Sequence, residues 1–315
     1  MMLRQITNKK IPSPDQEARR AVQDAALHYL LEARALENAV LEGSAPEALH
    51  KFRVALRKSR STLSVGARLF PAATLRAWKL ALGGVCKHTN RLRDLDVHRE
   101  ALADLKKSLP PTLRPGLADF LKHVAAARTS EARAVAAFFT AKDYRIRMER
   151  VAKALATPRA RTPVRPDAAH DVAADFIARR YKRISESVRQ LGKHSADAEI
   201  HAIRIDCKKL RYALDIFGGT LPEKSVKALT KALARLQKRL GQFNDSSVLQ
   251  RFLLDDCWQQ AAASDQRLAM CLGGLVTHLQ HCHSAMRGSV LKSLRAFRSD
   301  SAKFRIDRLS QRPAT

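Results

Sequence analysis

The stretch "ALHKFRVALRKSRSTLSVGARLFP", residues 48–71, returns as "EIHAIRIDCKKLRYALDIFGGTLP" at residues 199–222. His50, Arg53, Arg57, Lys58, Arg60 and Pro71 meet His201, Arg204, Lys208, Lys209, Arg211 and Pro222, every pair 151 positions apart. The offset continues without a gap, setting Lys87 against Lys238, Asp94 against Asp245 and Val97 against Val248. The chain therefore reads as a tandem duplication, and any fold for it must build one unit twice.

Helical geometry separates two faces within each copy. At ~100° per residue, His50, Arg53, Arg57 and Arg60 fall within about 80° of one another, whereas Phe52, Leu56 and Leu63 cluster elsewhere on the cylinder. The second copy repeats the basic stripe with His201, Arg204, Lys208 and Arg211, and the apolar one with Ile203, Cys207, Leu210 and Leu214. A basic stripe alone is the signature of any solvated face. Two stripes, each led by a histidine at the same angular position, point to a shared task. The next helix carries a weaker set: Arg76, Lys79 and Lys87 in the first copy, Lys227, Lys231, Arg235 and Lys238 in the second.

Apolar spacing of three and four residues predicts an all-α chain. Helices are expected near 14–42, 46–69, 72–92, 94–107, 111–140 and 142–155, then 167–192, 197–217, 222–240, 244–260 and 263–287. "TPRARTPVRP", residues 157–166, holds three prolines and cannot continue a helix, so it divides a first repeat (1–156) from a second (167–287). Residues 288–315 read as a basic tail carrying Lys292, Arg295, Arg298, Lys303, Arg305, Arg308 and Arg312.

Lys and Arg number 58 against 30 Asp and Glu, a formal charge of +28, which calls for a polyanionic partner. Nucleic acid, anionic membrane and inorganic polyphosphate are the candidates. The five scattered cysteines do not read as a disulfide framework, and neither a signal peptide nor a membrane span is expected, so a cytoplasmic protein without a membrane partner is the reading.

At "HKFRVALRKSR", "RLRDLDV", "HAIRIDCKKLRYALDIF" and "LGQFNDSSVL" the chain resembles the CHAD family, the conserved-histidine α-helical domain, over most of residues 15–285. The resemblance implies two four-helix-bundle subdomains related by pseudo-twofold symmetry, a basic central groove or pore, binding of inorganic polyphosphate, and attachment to polyphosphate granules. One departure is Asn90, where the second copy has Gly241, so the turn before Asp94 is expected to differ.

The chemistry of the stripes stands beside that resemblance. Polyphosphate offers anionic oxygens without bases, so its receptor needs cations and donors but no stacking platform; a single-strand nucleic-acid binder interleaves aromatics, and among the stripe residues only Tyr212 is aromatic. Arginine forks grip phosphate oxygens, lysines act as point charges, and a histidinium donates from both nitrogens, its charge following the ligand. The expected binding set is His50, Arg53, Arg57, Lys58, Arg60, Lys79 and Lys87 in the first copy. In the second it is His201, Arg204, Lys208, Lys209, Arg211, Tyr212, Lys231, Arg235 and Lys238.

Other constellations rank lower. Asp94 and Asp245 read as helix N-caps, with anchoring of an arginine as the rival role. Cys271, His278 and Cys282 share a helical face near His281 and His283, but a zinc site draws convergent ligands from several elements, and neither metal nor cofactor is expected. No phosphate-loop motif or magnesium-holding carboxylate cluster is present, so a binding module is favoured over an enzyme. The alternatives are a histidine phosphotransfer protein using His50 or His201, and a nucleic-acid binder acting through charge alone.

Overall fold

The structure is a computed structural model that describes residues 18–43, 46–107, 109–157, 169–300 and 306. Among them it is all-α, with α1 (Ala18–Ala35), α2 (Glu37–Leu41), α3 (Pro46–Val65), α4 (Ala72–His88), α5 (Asn90–Leu105), α6 (Arg114–Thr140) and α7 (Lys142–Ala156) in the first half. The second half holds α8 (Ala169–Gln190), α9 (Asp197–Phe217), α10 (Glu223–Leu253), α11 (Asp256–Ala263) and α12 (Gln266–Ser299). Ala18 and Ala169, Pro46 and Asp197, and Ala72 and Glu223 open their helices at the same 151-residue spacing as the sequence repeat. The Pro/Arg-rich segment after Thr157, and Lys303, Arg305, Arg308 and Arg312 of the basic tail, lie outside the described residues.

Each half wraps the stripe helix in a four-helix set. In the first, α1, α3, α4 and α7 pack around one another; in the second, α8, α9, α10 and α12 do. The apolar faces expected from the sequence form the centre: Phe52, Leu56 and Leu63 are fully buried, as are Cys207 and Leu210. Burying each such side chain is worth roughly 1.5–3 kcal/mol. The two sets share their grease, since one continuous core joins α1, α3 and α7 to α8, α9, α10 and the last turns of α12. A second core draws on both halves, with Leu95, Leu117, Phe120 and Val124 of α5 and α6 beside Leu253, Trp258, Leu268 and Leu275 of α10, α11 and α12. Near their first turns α6 and α12 meet at Gly116, where a Cβ would stand 2.5 Å from the Arg267 carbonyl oxygen. Only glycine allows so close a crossing.

Several helix boundaries differ from expectation, each for a local reason. The expected helices 222–240 and 244–260 are one helix, α10, to Leu253, because Gly241 costs only about 1 kcal/mol inside a helix whose neighbours Leu240 and Phe243 are buried. In the first copy the same place is broken. Thr89, completely buried, turns its hydroxyl back to the Val85 and Cys86 carbonyls, and α5 restarts at Asn90 rather than near 94. Asp94 therefore sits inside α5 and Asp245 inside α10, and neither caps a helix. The expected stop at 287 is also overrun. Gly288 looks like punctuation, but Val290, Leu291, Leu294 and Phe297 keep an apolar face that is buried in the shared core, so Lys292, Arg295 and Arg298 belong to a packed helix.

Candidate functional site

α3 and α9 pack against each other across the halves, and this contact brings the two stripes together. Arg57 and Lys208 hold equivalent places in the repeats, and the Arg57 charge bears directly on Lys208 and on Arg204. One turn further along, Arg60 of α3 and Lys209 of α9 both bear on Lys79 of α4. The central surface is thus a crowd of like charges drawn from both copies. Burial pushes the Lys208 ammonium down to about 8, with Arg204 and Arg57 adding to the effect and Asp245 opposing it. Burial, then Arg60 and Lys209, also hold Lys79 below the ordinary lysine range. The Nε atoms of Arg57 and Arg60 are buried without a hydrogen-bond partner. Packing so many like charges together costs folding free energy that an anion among them would offset.

The two leading histidines are not alike. His50 is half-buried, and burial, then Arg93, and more weakly Arg57 and Arg53 hold it below the usual histidine value against the pull of Glu47. The neutral form of His50 is thereby favoured, and an anion beside it would favour the charged one. His201 is exposed and places Nδ1 at 2.5 Å from Asn244 Oδ1, which makes Nδ1 the donor and leaves Nε2 for a ligand. Asn244 stands where the first copy has Arg93.

Arg53 and Arg204 also differ. Arg53 donates to the Cys86 carbonyl at 2.8 Å, to Thr89 Oγ1 at 2.7 Å and to Asn90 Oδ1 at 2.7 Å, closing the break between α4 and α5. Its guanidinium is spent on the fold. In the second copy α10 runs unbroken, and Arg204 approaches the Asp245 carboxylate at 3.9 Å. Asp245 thus has the anchoring role, weakly, in place of the capping one.

The remaining expected residues divide between the shared surface and its margins. Lys209 joins the surface while reaching Asp206 at 3.6 Å, a carboxylate already paired with Arg180 and Arg183. Arg211 is exposed, donates to Gln237 Oε1 at 3.1 Å and lies 3.8 Å from Asp215; Tyr212 beside it is half-buried. Lys58 lies over the Tyr29 ring of α1, 4.9 Å from its centre, and so leaves the stripe. Lys87, Lys231 and Lys238 are exposed on α4 and α10. Arg235 points to the other side of α10, where it lines a shallow cavity with Arg239 and Ser293 of α12. The sequence reading missed Arg93, Asn244, Ser247 and Arg251, although Arg93 and Asn244 stand at matched places inside the two "RLRDLDV" and "GQFNDSSV" segments.

The cysteine and histidine group on α12 comes apart in part, with Cys282 Sγ still 3.7 Å from His278 Nε2. Cys271 is buried in the second core, where burial pushes its thiol up to about 11, and His283 stacks on Phe243 and contacts Asp197 at 2.7 Å. Among the described residues no group of three His, Cys, Asp or Glu side chains is arranged to hold a metal ion. Nor is any described helix long and apolar enough to cross a membrane.

An all-helical pair of packed four-helix sets with basic helices at their contact defines the class. The CHAD domain family model matches residues 24–254, and the chain belongs to that family. Among solved structures it is similar to the CHAD domain from the plant Ricinus communis, at 24% identity and a TM-score of 0.74, over 93% of this chain and 95% of that one. It is also similar to PptA from Streptomyces chartreusis, at 17% identity and a TM-score of 0.66, over 90% of this chain and 99% of the other. These likenesses concern the fold. No curated protein matches the chain.

Proposed function

We propose that the protein binds inorganic polyphosphate, without turning it over, along the basic surface where α3 and α9 meet. The observation that carries this reading is the pairing of Arg57 with Lys208 and Arg204 across the two copies, a concentration of half-buried cations with too few carboxylates to neutralise it. Family membership supports it, and so does the lack of stacked aromatics along the stripes, since a base-binding groove would use them. Binding rather than catalysis fits a site whose side chains are cations and hydrogen-bond donors. Attachment to polyphosphate granules in the cytoplasm is the corresponding place of action.

Competition between long-chain polyphosphate and DNA at matched ionic strength tests the reading. If Arg57, Arg60, Lys79, Arg204, Lys208 and Lys209 each displace counterions, log Kd against log salt should have a slope of about 4 in magnitude. Polyphosphate should win at every salt concentration. DNA binding as tightly, or an affinity indifferent to salt, would contradict it.

The Lys208 ammonium gives the site a pH dependence with two opposite signs. Its folded value of about 8 lies below the unfolded lysine value, so between these limits the unfolded chain holds more protons than the folded one. The ligand-free protein should therefore gain stability from this group as pH rises from 8 toward 10. Polyphosphate affinity should fall over the same window, because the ligand needs the charged form. Melting and binding curves compared with Lys208→Met check both slopes; wild-type curves parallel to the variant's would refute the assignment.

A further inference from the structure

Beside the stripe of α9 lies a cavity of about 210 Å³, between the first turns of α9 and the C-terminal half of α10. It has an apolar back wall that includes Phe243, and its polar lining is His201, Arg204, Asn244, Ser247 and Arg251. One carboxylate also borders it, that of Asp197, but both oxygens are already engaged: Oδ1 accepts from Arg287 at 2.6 Å and Oδ2 lies 2.7 Å from His283 Nε2. The lining therefore offers two guanidinium groups, an imidazole whose Nε2 is left for a ligand, a side-chain amide and a hydroxyl. At ~30 Å³ per water the space is roughly seven waters, room for a tetrahedral anion with some of its hydration.

The first copy does not offer the same chemistry. The positions equivalent to Arg204, Asn244, Ser247 and Arg251 are Arg53, Arg93, Asp96 and Glu100. Arg53 is committed to the helix break, Asp96 is buried and paired with Arg128 at 2.6 Å, and Glu100 adds a negative charge where the second copy has a positive one. Arg93 keeps a cation in the first copy where the second has the neutral Asn244, so the two copies offer an anion different sets of side chains. The path is thus unlike at its two ends.

We infer that this cavity captures the terminal phosphoryl group of a polyphosphate chain, an assignment that rests on the polyphosphate reading above and gives the path a fixed end. An internal phosphate carries one charge, has two oxygens tied up in bridges, and must let the chain leave in two directions. A terminal phosphate has three free oxygens and loses a second proton near pH 6, as a phosphate monoester does, so it matches a one-sided pocket with two forked cations. From His201 the stripe runs two turns along α9 to Lys208, about 10 Å, which leads the chain from the cavity past Arg204 to the Arg57–Lys208 contact.

The test compares polyphosphate of one length with native ends and with both ends capped as methyl esters, and uses orthophosphate as a third probe. Capping should weaken binding to the wild-type protein about tenfold, the loss of one charge-assisted contact set. Arg251→Gln, an exposed position on α10, should remove the difference between native and capped chains, and Asn244→Ala should reduce it. Glu100→Gln should leave the ratio intact. Equal affinity of native and capped chains for the wild type would overturn end capture while leaving the polyphosphate reading standing. Failure of both chains to bind would instead overturn that reading. Orthophosphate displacing the long chain at equal concentration would show a site for the free anion and refute capture of a chain end.

Discussion

Reversing the charge at the contact between the stripes, as Arg57→Glu with Lys208→Glu, should weaken long-chain polyphosphate at least about 100-fold, the largest binding effect expected of any pair in the protein. The two side chains come from equivalent places in the two copies, and the Arg57 charge bears on Lys208 and on its neighbour Arg204. A chain laid along the α3–α9 contact would pass them. The free protein should tolerate the change well. Two like charges are removed from a crowd of cations, and the new carboxylates face Arg204 and its neighbours, so thermal stability should hold or rise. Loss of binding alongside unchanged or improved melting would separate ligand contact from folding. Retained affinity for long chains would show that the ligand lies elsewhere.

Arg53 and Arg204, identical in type and equivalent in the repeat, should fail in opposite ways. Arg53→Met removes three hydrogen bonds that close the α4–α5 break and leaves the Cys86 carbonyl and the buried Thr89 hydroxyl with only their contacts inside the break, a cost of about 2–4 kcal/mol. Arg204→Met removes only a 3.9 Å approach to an exposed carboxylate and relieves repulsion with Arg57, so stability should change by less than about 1 kcal/mol. Polyphosphate affinity should respond in the reverse order. Urea denaturation and binding titrations on both variants decide the matter, and equal stability losses would contradict the distinct roles assigned to the two arginines.

That divergence marks where the sequence stops being informative. The stripes, the apolar faces and the all-α class were legible because each is a local property: a 3.6-residue period sorts cations from leucines whatever the rest of the chain does. The fates of Arg53 and Arg204 were not, because they depend on a break one helix away. Breaks were expected at matching places in the two copies, near 93 and near Gly241, yet only the first copy is broken, at Thr89, and the reason lies in which side chain can reach the freed carbonyls. The N-cap reading of Asp94 and Asp245 failed with the same boundary. Gly288 misled in the same manner, since the burial of Val290, Leu291, Leu294 and Phe297 against α8 and α10 is a tertiary fact that outweighs a local stop signal. The cavity beside His201 needed the structure too, although its asymmetry, Arg251 against Glu100, was written in the repeat.

The central claim is that two copies of a stripe make one path for one anion. Calorimetry with polyphosphates of defined length addresses it most directly. The account predicts one long chain bound per protein, with affinity rising as the chain grows until it spans both stripes and then levelling off, because a second stripe engages at high effective concentration once the first is held. Two chains bound per protein, with the same affinity at every length, would contradict it.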